Sequence, residues 1–180
     1  VHALTRRVVD WYLAANERWF DLIGEAMDGM IMGNDFGSQL DLLISPELLR
    51  EFVFPYYREM FEAGRARGYQ LLTHSCGSIH RVIDDLIGMG VQCLHPLQAK
   101  AANMDAATLA RDFRGRIAFL GGIDTQDLLV HGTPAQVKDE VRRVRDLLGP
   151  NLIVSPSHEA VLPNVPPANI AAMAEAVVGE

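Results

Sequence analysis

Two features that would indicate a nucleic-acid or membrane partner are missing from this sequence. Its formal net charge is -7, and no block of lysines and arginines is dense enough to form a phosphate-binding stripe. No stretch approaches the roughly 18 apolar residues that a membrane-spanning helix needs. We therefore expect neither kind of partner, and a small, neutral or anionic organic substrate stays open.

Cysteine is scarce, since the chain has only Cys76 and Cys93. The first residues also lack a secretory signal, because charged side chains interrupt their apolar run too early. Both features are typical of a cytoplasmic protein with reduced thiols. The chain opens directly in a predicted helix and without a methionine, so we expect it to be a piece of a longer protein.

The chain does have enough apolar sequence for a sizeable core. Of its 180 residues, 49% are hydrophobic and 22% are charged. These fractions are typical of a globular protein rather than a disordered one. A single domain over residues 1–180 is the expectation at this length.

The first two predicted elements follow from the spacing of apolar residues. Steps of three, four and seven or eight predict an amphipathic helix over residues 3–27. Its Trp11 and Trp19 are expected to lie in the core or in an interface. Residues 29–33 are apolar all round, as a strand buried on both faces would be.

The alternation of strand and helix continues to the end of the chain. Ser45 and Pro46 open a helix that runs through about residue 66, and Thr133 begins the capping box of a later helix. The remaining predicted helices span 78–88, 105–113, about 134–149 and 167 onward, and the remaining strands span 69–73, 91–94, 117–120 and 151–154. Five strand-then-helix units require a parallel sheet with right-handed crossovers.

Polar residues decide between an open doubly wound sheet and a barrel. They directly follow each of the five predicted strands, as Asn34 and Asp35, His74 and Cys76, His95 and Gln98, Asp124, and His158. A barrel gathers such groups at the carboxyl ends of many strands, whereas an open sheet concentrates them at one switch point. The expected fold class is therefore α/β, a parallel (β/α)8 TIM barrel of which this chain holds about five βα units.

Two segments carry the residues best suited to bind a metal, at positions 73–77 and 155–159. Side chains at i and i+2 of an extended segment point to the same face. His74 and Cys76 are therefore expected to coordinate one metal ion, with His158 as a third ligand. Three protein ligands and one open position are the pattern of a catalytic zinc. The alternative is that both histidines bond loop backbone while Cys76 is a buried apolar group.

Five further polar residues are candidates for the chemistry. Asp35 is expected to act in catalysis by orienting a ligand, and Glu159 to act as a fourth oxygen ligand or a proton acceptor. Asn34, Gln98 and Asp124 are the predicted substrate-binding residues. The two aspartates could equally cap a helix or bond a loop amide, and Glu159 could be a solvated loop carboxylate.

Three other features receive structural interpretations. Cys93 lies inside a predicted strand, where burial is the ordinary fate of a free cysteine. His95 is interpreted as a hydrogen-bonding residue at the barrel rim. Gly121 and Gly122 are expected to let the chain turn tightly into Asp124.

In this order and spacing, the motifs form a specific signature. They are Gly33–Gln39, His74–Gly77, His95–Gln98, Met104 with Asp105, Gly121–Gln126, and His158 followed by Pro163–Asn169. The chain resembles the carboxyl-terminal portion of the uroporphyrinogen decarboxylase superfamily of barrels, and most closely its zinc-dependent, corrinoid-linked methyltransferase branch. The resemblance covers nearly all of the sequence.

The resemblance implies a zinc held by a His-x-Cys motif and by a second cysteine near the last strand. His74 and Cys76 match that motif, whereas His158 stands where the second cysteine is expected. In the decarboxylase branch the same late segment carries a histidine that helps to bind the porphyrinogen. The decarboxylase's substrate-gripping arginines and catalytic aspartate belong to the amino-terminal half of the family, outside this sequence.

Three functional hypotheses follow. The first is a zinc-dependent methyltransferase that moves a methyl group between a small substrate and a corrinoid protein or a thiol. The second is a cofactor-free uroporphyrinogen decarboxylase of porphyrin biosynthesis. The third is an inactive partial barrel that must assemble as a homo-oligomer or with its missing barrel half.

Overall fold

Five parallel strands alternate with helices in the computed structural model, which describes residues 1–178. The strands are β1 Gly29–Gly33, β2 Gln70–His74, β3 Cys93–His95, β4 Ala118–Ile123 and β5 Leu152–Pro156. The helices are α1 His2–Ile23, α2 Pro46–Phe52, α3 Phe54–Ala66, α4 Ile83–Gly88, α5 Ala106–Phe113, α6 Leu128–His131, α7 Pro134–Leu148 and α8 Pro167–Val178. Short 3-10 turns span Gly24–Ala26 and His80–Val82.

The order of the strands identifies how the sheet is wound. Each strand pairs in parallel with the next one along the chain, so the sheet order is β1-β2-β3-β4-β5. A doubly wound sheet reverses direction at a switch point, and residues 1–178 contain no such reversal. Progression in one direction is the winding of a barrel. The prediction of five βα units of a TIM barrel is confirmed.

The two faces of the sheet differ in burial because side chains alternate along each strand. On one face Leu71, Leu94 and Phe119 belong to a buried cluster that also includes residues of the helices. The other face corresponds to the interior of a barrel. There Ile31 of β1 and Ile153 of β5 are 57% and 58% exposed. The prediction that β1 is buried on both faces is therefore wrong, since its neighbours cover only one of them.

Helix α1 buries a different stripe from the one that its apolar spacing indicates. Val9 and Phe20 are its buried residues, and the Phe20 ring packs edge-on against Tyr69 with centroids 5.0 Å apart. Trp11 and Trp19 are 66% and 60% exposed. Their expected place in the core is wrong, and a place in an interface stays a prediction.

The single helix predicted from Pro46 to residue 66 is two helices, which meet at Val53. Pro55 has no backbone N–H to continue the ladder of α2, and its ring clashes with the carbonyl four residues earlier in a continuous helix. In the first turn of α3 the same proline is tolerated. The predicted N-caps of α2 and α7 are confirmed. Ser45 accepts a hydrogen bond from the backbone of Leu48, and Thr133 opens α7 with a complete capping box.

Three smaller features complete the description. Gly121 and Gly122 lie inside β4 and not in a turn, so the interpretation of a tight turn into Asp124 is wrong. The burial of Cys93 is confirmed. Among the helices of residues 1–178, none combines the length and apolar character that crossing a bilayer requires.

Candidate metal site

The register of the sheet brings two histidines together at the ends of neighbouring strands. His74 of β2 pairs with His95 of β3, and paired side chains of parallel strands point to the same face. The two Nδ1 atoms are 3.0 Å apart, and the ring centroids are 5.1 Å apart. Burial, followed by the neighbouring His74 charge, lowers the pKa of His95.

The other ring nitrogen of His74 is the centre of a cluster of possible metal ligands. Its Nε2 lies 3.2 Å from Oδ1 of Asp35 and 3.6 Å from Oε1 of Glu159. The Sγ of Cys76 is 3.7 Å away. These residues follow β1, β5 and β2, so the carboxyl ends of three strands build the cluster, as in a TIM barrel site.

His158 joins the cluster through Cys76 and Glu159. Ligand atoms of these three residues all lie within 4.8 Å of one another, and so do those of Asp35, His74 and Cys76. Nδ1 of His158 accepts a 3.0 Å hydrogen bond from the Ala160 N–H. The structure thus brings together the three predicted metal ligands and the two predicted catalytic residues, whose roles stay predictions.

The distances in this cluster fit a tetrahedral zinc ion. Zinc binds imidazole nitrogen at about 2.0–2.1 Å and thiolate sulfur at about 2.3 Å, so two such ligands at a tetrahedral angle are about 3.5 Å apart. The separation of His74 Nε2 and Cys76 Sγ is close to this value, at 3.7 Å. Nitrogen, sulfur and carboxylate oxygen are also the ligand atoms that zinc takes in proteins. The residues present therefore fit the ion.

The charges around Cys76 favour a cation. Burial, and then the negative charges of Asp35 and Glu159, raise the pKa of the Cys76 thiol to about 11. The backbone N–H of Glu159 and the nearby His74 and His158 lower the pKa of the Glu159 carboxyl. The site therefore places a carboxyl of lowered pKa, that of Glu159, beside a thiol whose pKa is raised, and a nearby positive charge would favour the thiolate.

Two of the predicted residues hold the loop that carries Cys76. Oδ1 of Asp35 accepts a hydrogen bond from the Cys76 N–H at 2.9 Å, and Oε1 of Gln98 accepts one from the Gly77 N–H at 2.5 Å. Gly77 itself has φ 80°, and a Cβ there would overlap the backbone of Gly37. The loop after β2 is thus fixed by both side chains and by a close backbone approach.

The remaining predicted substrate-binding residues lie outside the cluster. The buried Asp124 carboxylate accepts hydrogen bonds from the N–H groups of Gln126, Asp127 and Leu128, at 3.0, 3.1 and 3.0 Å. These bonds fix the turn that leads into α6, whose N-cap residue is Asp127. Asn34 is exposed and lines an apolar groove of ≈ 1230 Å³ between α1, β1 and the α2–α3 pair. For Asn34, Gln98 and Asp124 the role in substrate binding stays a prediction.

The interpretation of His95 as a hydrogen-bonding residue at the barrel rim agrees with the structure, but the sequence interpretation does not anticipate that its partner is His74. That interpretation uses only the place of His95 at the end of a predicted strand. The signal that could have found it is the register, because His74 and His95 each end a predicted strand and neighbouring parallel strands end at the same edge of a sheet.

A barrel-type sheet with a ligand cluster at its carboxyl edge defines the class of the protein as a TIM-barrel protein with a candidate metal site. The model of the uroporphyrinogen decarboxylase (URO-D) family matches residues 28–179. This match spans most of the sequence, and the chain belongs to that family.

A solved structure is similar in fold. It is a methyltransferase from Methanosarcina mazei, with a TM-score of 0.66 and 19% sequence identity over 83% of this chain. At that identity the likeness shows the fold alone. The match covers 41% of the Methanosarcina protein's chain, so the present chain spans less than half of it. No curated protein matches the sequence.

Proposed function

We propose that this chain is the zinc-binding part of a methyltransferase that moves a methyl group between a small substrate and a corrinoid protein or a thiol. The observation that carries the proposal is the convergence of Asp35, Cys76 and Glu159 on Nε2 of His74. Membership of the family and the likeness in fold to a methyltransferase support it.

The residues of the cluster have distinct roles in this proposal. His74, Cys76 and His158 would hold the zinc, which when bound supplies a Lewis acid that deprotonates a coordinated thiol or polarises a leaving group. Glu159 is ionised at neutral pH, because its pKa is lowered by its backbone N–H and the nearby histidines. It lies 3.6 Å from His74, in position to accept the proton of a substrate thiol. Asp35 keeps the Cys76 loop in place.

The methyl transfer balances without an oxidant or reductant. A corrinoid protein would supply the methyl group as a methyl cation equivalent and would keep the bonding electron pair, and the sulfur of the substrate thiolate would supply the pair for the new bond to carbon. The thiol proton passes to Glu159.

Metal content and methyl transfer test the proposal together. We expect the full chain, purified after growth with zinc, to contain about one zinc ion per chain by mass spectrometry of the metal. His74→Ala and Cys76→Ala should lose the ion and the transfer of methyl from methylcobalamin to 2-mercaptoethanol, followed by absorbance. Cys93→Ala removes the other cysteine, which is buried in β3, and should keep both properties.

A metal-free protein whose His74 and Cys76 variants keep full activity would rule the proposal out. The second candidate is decarboxylation of a uroporphyrinogen, and the family match is the observation that favours it. Release of carbon dioxide from a uroporphyrinogen in the presence of a strong chelator would support this candidate, since that reaction needs no metal.

A further inference from the structure

We propose that His95 is a positioning residue that fixes the imidazole of His74 through the contact between their Nδ1 atoms, and so aims Nε2 of His74 at the metal. The inference rests on the proposed zinc site. It assigns a role to a side chain that is not itself one of the three ligands.

Pairing of two strands, rather than a loop, places the two histidine rings next to each other. His74 pairs with His95 in the register of β2 and β3. The N–H of Ser75 donates a 2.9 Å hydrogen bond to the carbonyl of His95, which ties the strand ends together directly behind the rings. Backbone pairing therefore places the two side chains next to each other on one face, where their Nδ1 atoms lie 3.0 Å apart.

The chemistry of imidazole determines how the two rings share a proton. A neutral imidazole has one nitrogen that donates and one that accepts. When Nε2 of His74 binds a metal, the proton of that ring is on Nδ1. The nitrogen 3.0 Å away, Nδ1 of His95, is then the acceptor, and His95 carries its own proton on Nε2.

This arrangement does what a carboxylate or carbonyl does in other zinc sites. Metal-bound histidines almost always donate their second N–H to such an acceptor, which fixes the tautomer and the ring orientation. In the part of the chain that the structure describes, the nitrogen of His95 is the hydrogen-bond partner recorded for Nδ1 of His74. Asp35 and Glu159 lie at the opposite nitrogen and act at the metal side of the ring.

A pair of variants of equal size tests the role. His95→Leu removes the acceptor, whereas His95→Asn keeps a side-chain oxygen at nearly the same place. Zinc affinity of the full chain, measured by competition with a chelating dye at fixed pH, should fall about 10–100-fold in His95→Leu. His95→Asn should recover most of that loss. Thermal unfolding of both variants shows whether the two are equally folded.

His80→Leu is the matched control for the loss of a histidine. It breaks a hydrogen bond of similar length, 2.8 Å between Nε2 and Asp112, at a place away from the cluster. We expect its zinc affinity to equal that of the wild type.

Nitrogen-15 NMR of labelled histidines gives a readout that does not depend on activity. In the zinc-loaded wild type, Nδ1 of His74 should be protonated and Nδ1 of His95 should be an unprotonated acceptor. In His95→Leu the hydrogen-bond shift of the His74 Nδ1 proton should disappear. A proton on Nδ1 of His95 in the zinc-loaded protein would contradict the role.

The outcomes separate this inference from the proposal on which it rests. If the wild type binds zinc and His95→Leu binds it as tightly, only the role of His95 is overturned. If the wild type binds no zinc, the proposed function is overturned and the role of His95 with it.

Discussion

Gly121 of β4 supports the segment that carries His95. It has φ 128°, and a Cβ at this position would overlap the carbonyl of Pro96. Next to it, the N–H of Gly122 donates a 3.3 Å hydrogen bond to that same carbonyl. The backbone that follows β3 thus lies directly on β4, and only glycine permits the approach.

The cost of a side chain at Gly121 can be measured. We expect Gly121→Ala to lower the free energy of unfolding by roughly 2–4 kcal/mol, because it combines a strained φ with a backbone overlap. Urea-induced unfolding gives the value. Gly115→Ala is the control, since Gly115 has φ 78° but its Cβ would meet open space among the described residues. Gly115→Ala should lower the free energy of unfolding by about 1 kcal/mol. Equal losses in the two variants would show that the overlap is relieved at no cost.

At the scale of single residues, the sequence predicts which candidate ligands come together better than it predicts the contacts that hold them. The i, i+2 spacing of His74 and Cys76 predicts a shared face, and the structure places both in one cluster. The contact of His74 with His95 depends on strand register, and a single sequence contains no direct measure of register. The hydrogen bonds that occupy Asp124 are local, and bonding a loop amide is one of the two alternatives, with helix capping, that the sequence leaves open for it.

Helix α5 begins at a titrating cap. Asp105 is the N-cap, and its carboxylate accepts a 3.0 Å hydrogen bond from the Thr108 N–H. This backbone hydrogen bond lowers the pKa of Asp105. A group with a lower pKa in the folded state stabilises the protein above its unfolded pKa, which is about 3.9 for aspartate. The stabilisation is lost as the pH falls through the folded pKa.

The stabilisation that the Asp105 cap gives to α5 should therefore depend on pH. Asp105→Ala should lower the free energy of unfolding by about 1 kcal/mol at pH 7, and by less at a pH below the folded pKa of the aspartate. Urea unfolding at both pH values measures this. Asp105→Asn keeps an acceptor that does not titrate, so it should lie close to the wild type at pH 7. If the free energies of unfolding of the wild type and Asp105→Ala differ by the same amount at both pH values, the ionised Asp105 carboxylate is not the cap of α5.

At the scale of helices and strands, caps and breakers are the strongest signals in this sequence. The Thr133 capping box and the Ser45 cap are confirmed. The break at Val53 is also encoded locally, because Pro55 cannot continue α2. Which faces of α1 and β1 are buried is not encoded locally in this way. Periodicity shows that an apolar stripe exists, but which residues of α1 are covered depends on Tyr69 and other distant partners.

Apolar surface is exposed both on the sheet and on α1. Ile31 and Ile153 lie on the barrel-interior face of the sheet, and Trp11 and Trp19 lie on α1. β1 and β5 are the edge strands of the sheet. Sheet edges and contiguous apolar surface both favour association with another chain.

We expect the isolated chain to associate with itself for this reason. Light scattering should show dimers or larger species. Ile31→Lys places a charge on the interior face of an edge strand and should shift the distribution toward monomers. Leu40→Lys is the control, because Leu40 is also exposed to solvent, at 80% against 57% for Ile31, but lies in a loop outside the sheet. A wild type that is a stable monomer at all concentrations would contradict this expectation.

The whole-molecule architecture is the part that the sequence predicts best. Five strand-then-helix units and polar residues after every strand are enough to distinguish a barrel winding from an open sheet, because each class places its polar groups differently. What covers the interior face does not follow from these patterns, since they describe each unit and its immediate neighbours.

The pairing of His74 with His95 makes the length of β2 a determinant of the chemistry. Side chains change face at every residue of a strand, so the loss of one residue between Gln70 and His74 would turn the imidazole toward the helices and bring Thr73 to the opposite face. Substitutions can alter the candidate ligands of this site one at a time, whereas a single deletion in β2 would separate His74 from the others. The count of residues in the strand is as much a part of the site as their identity.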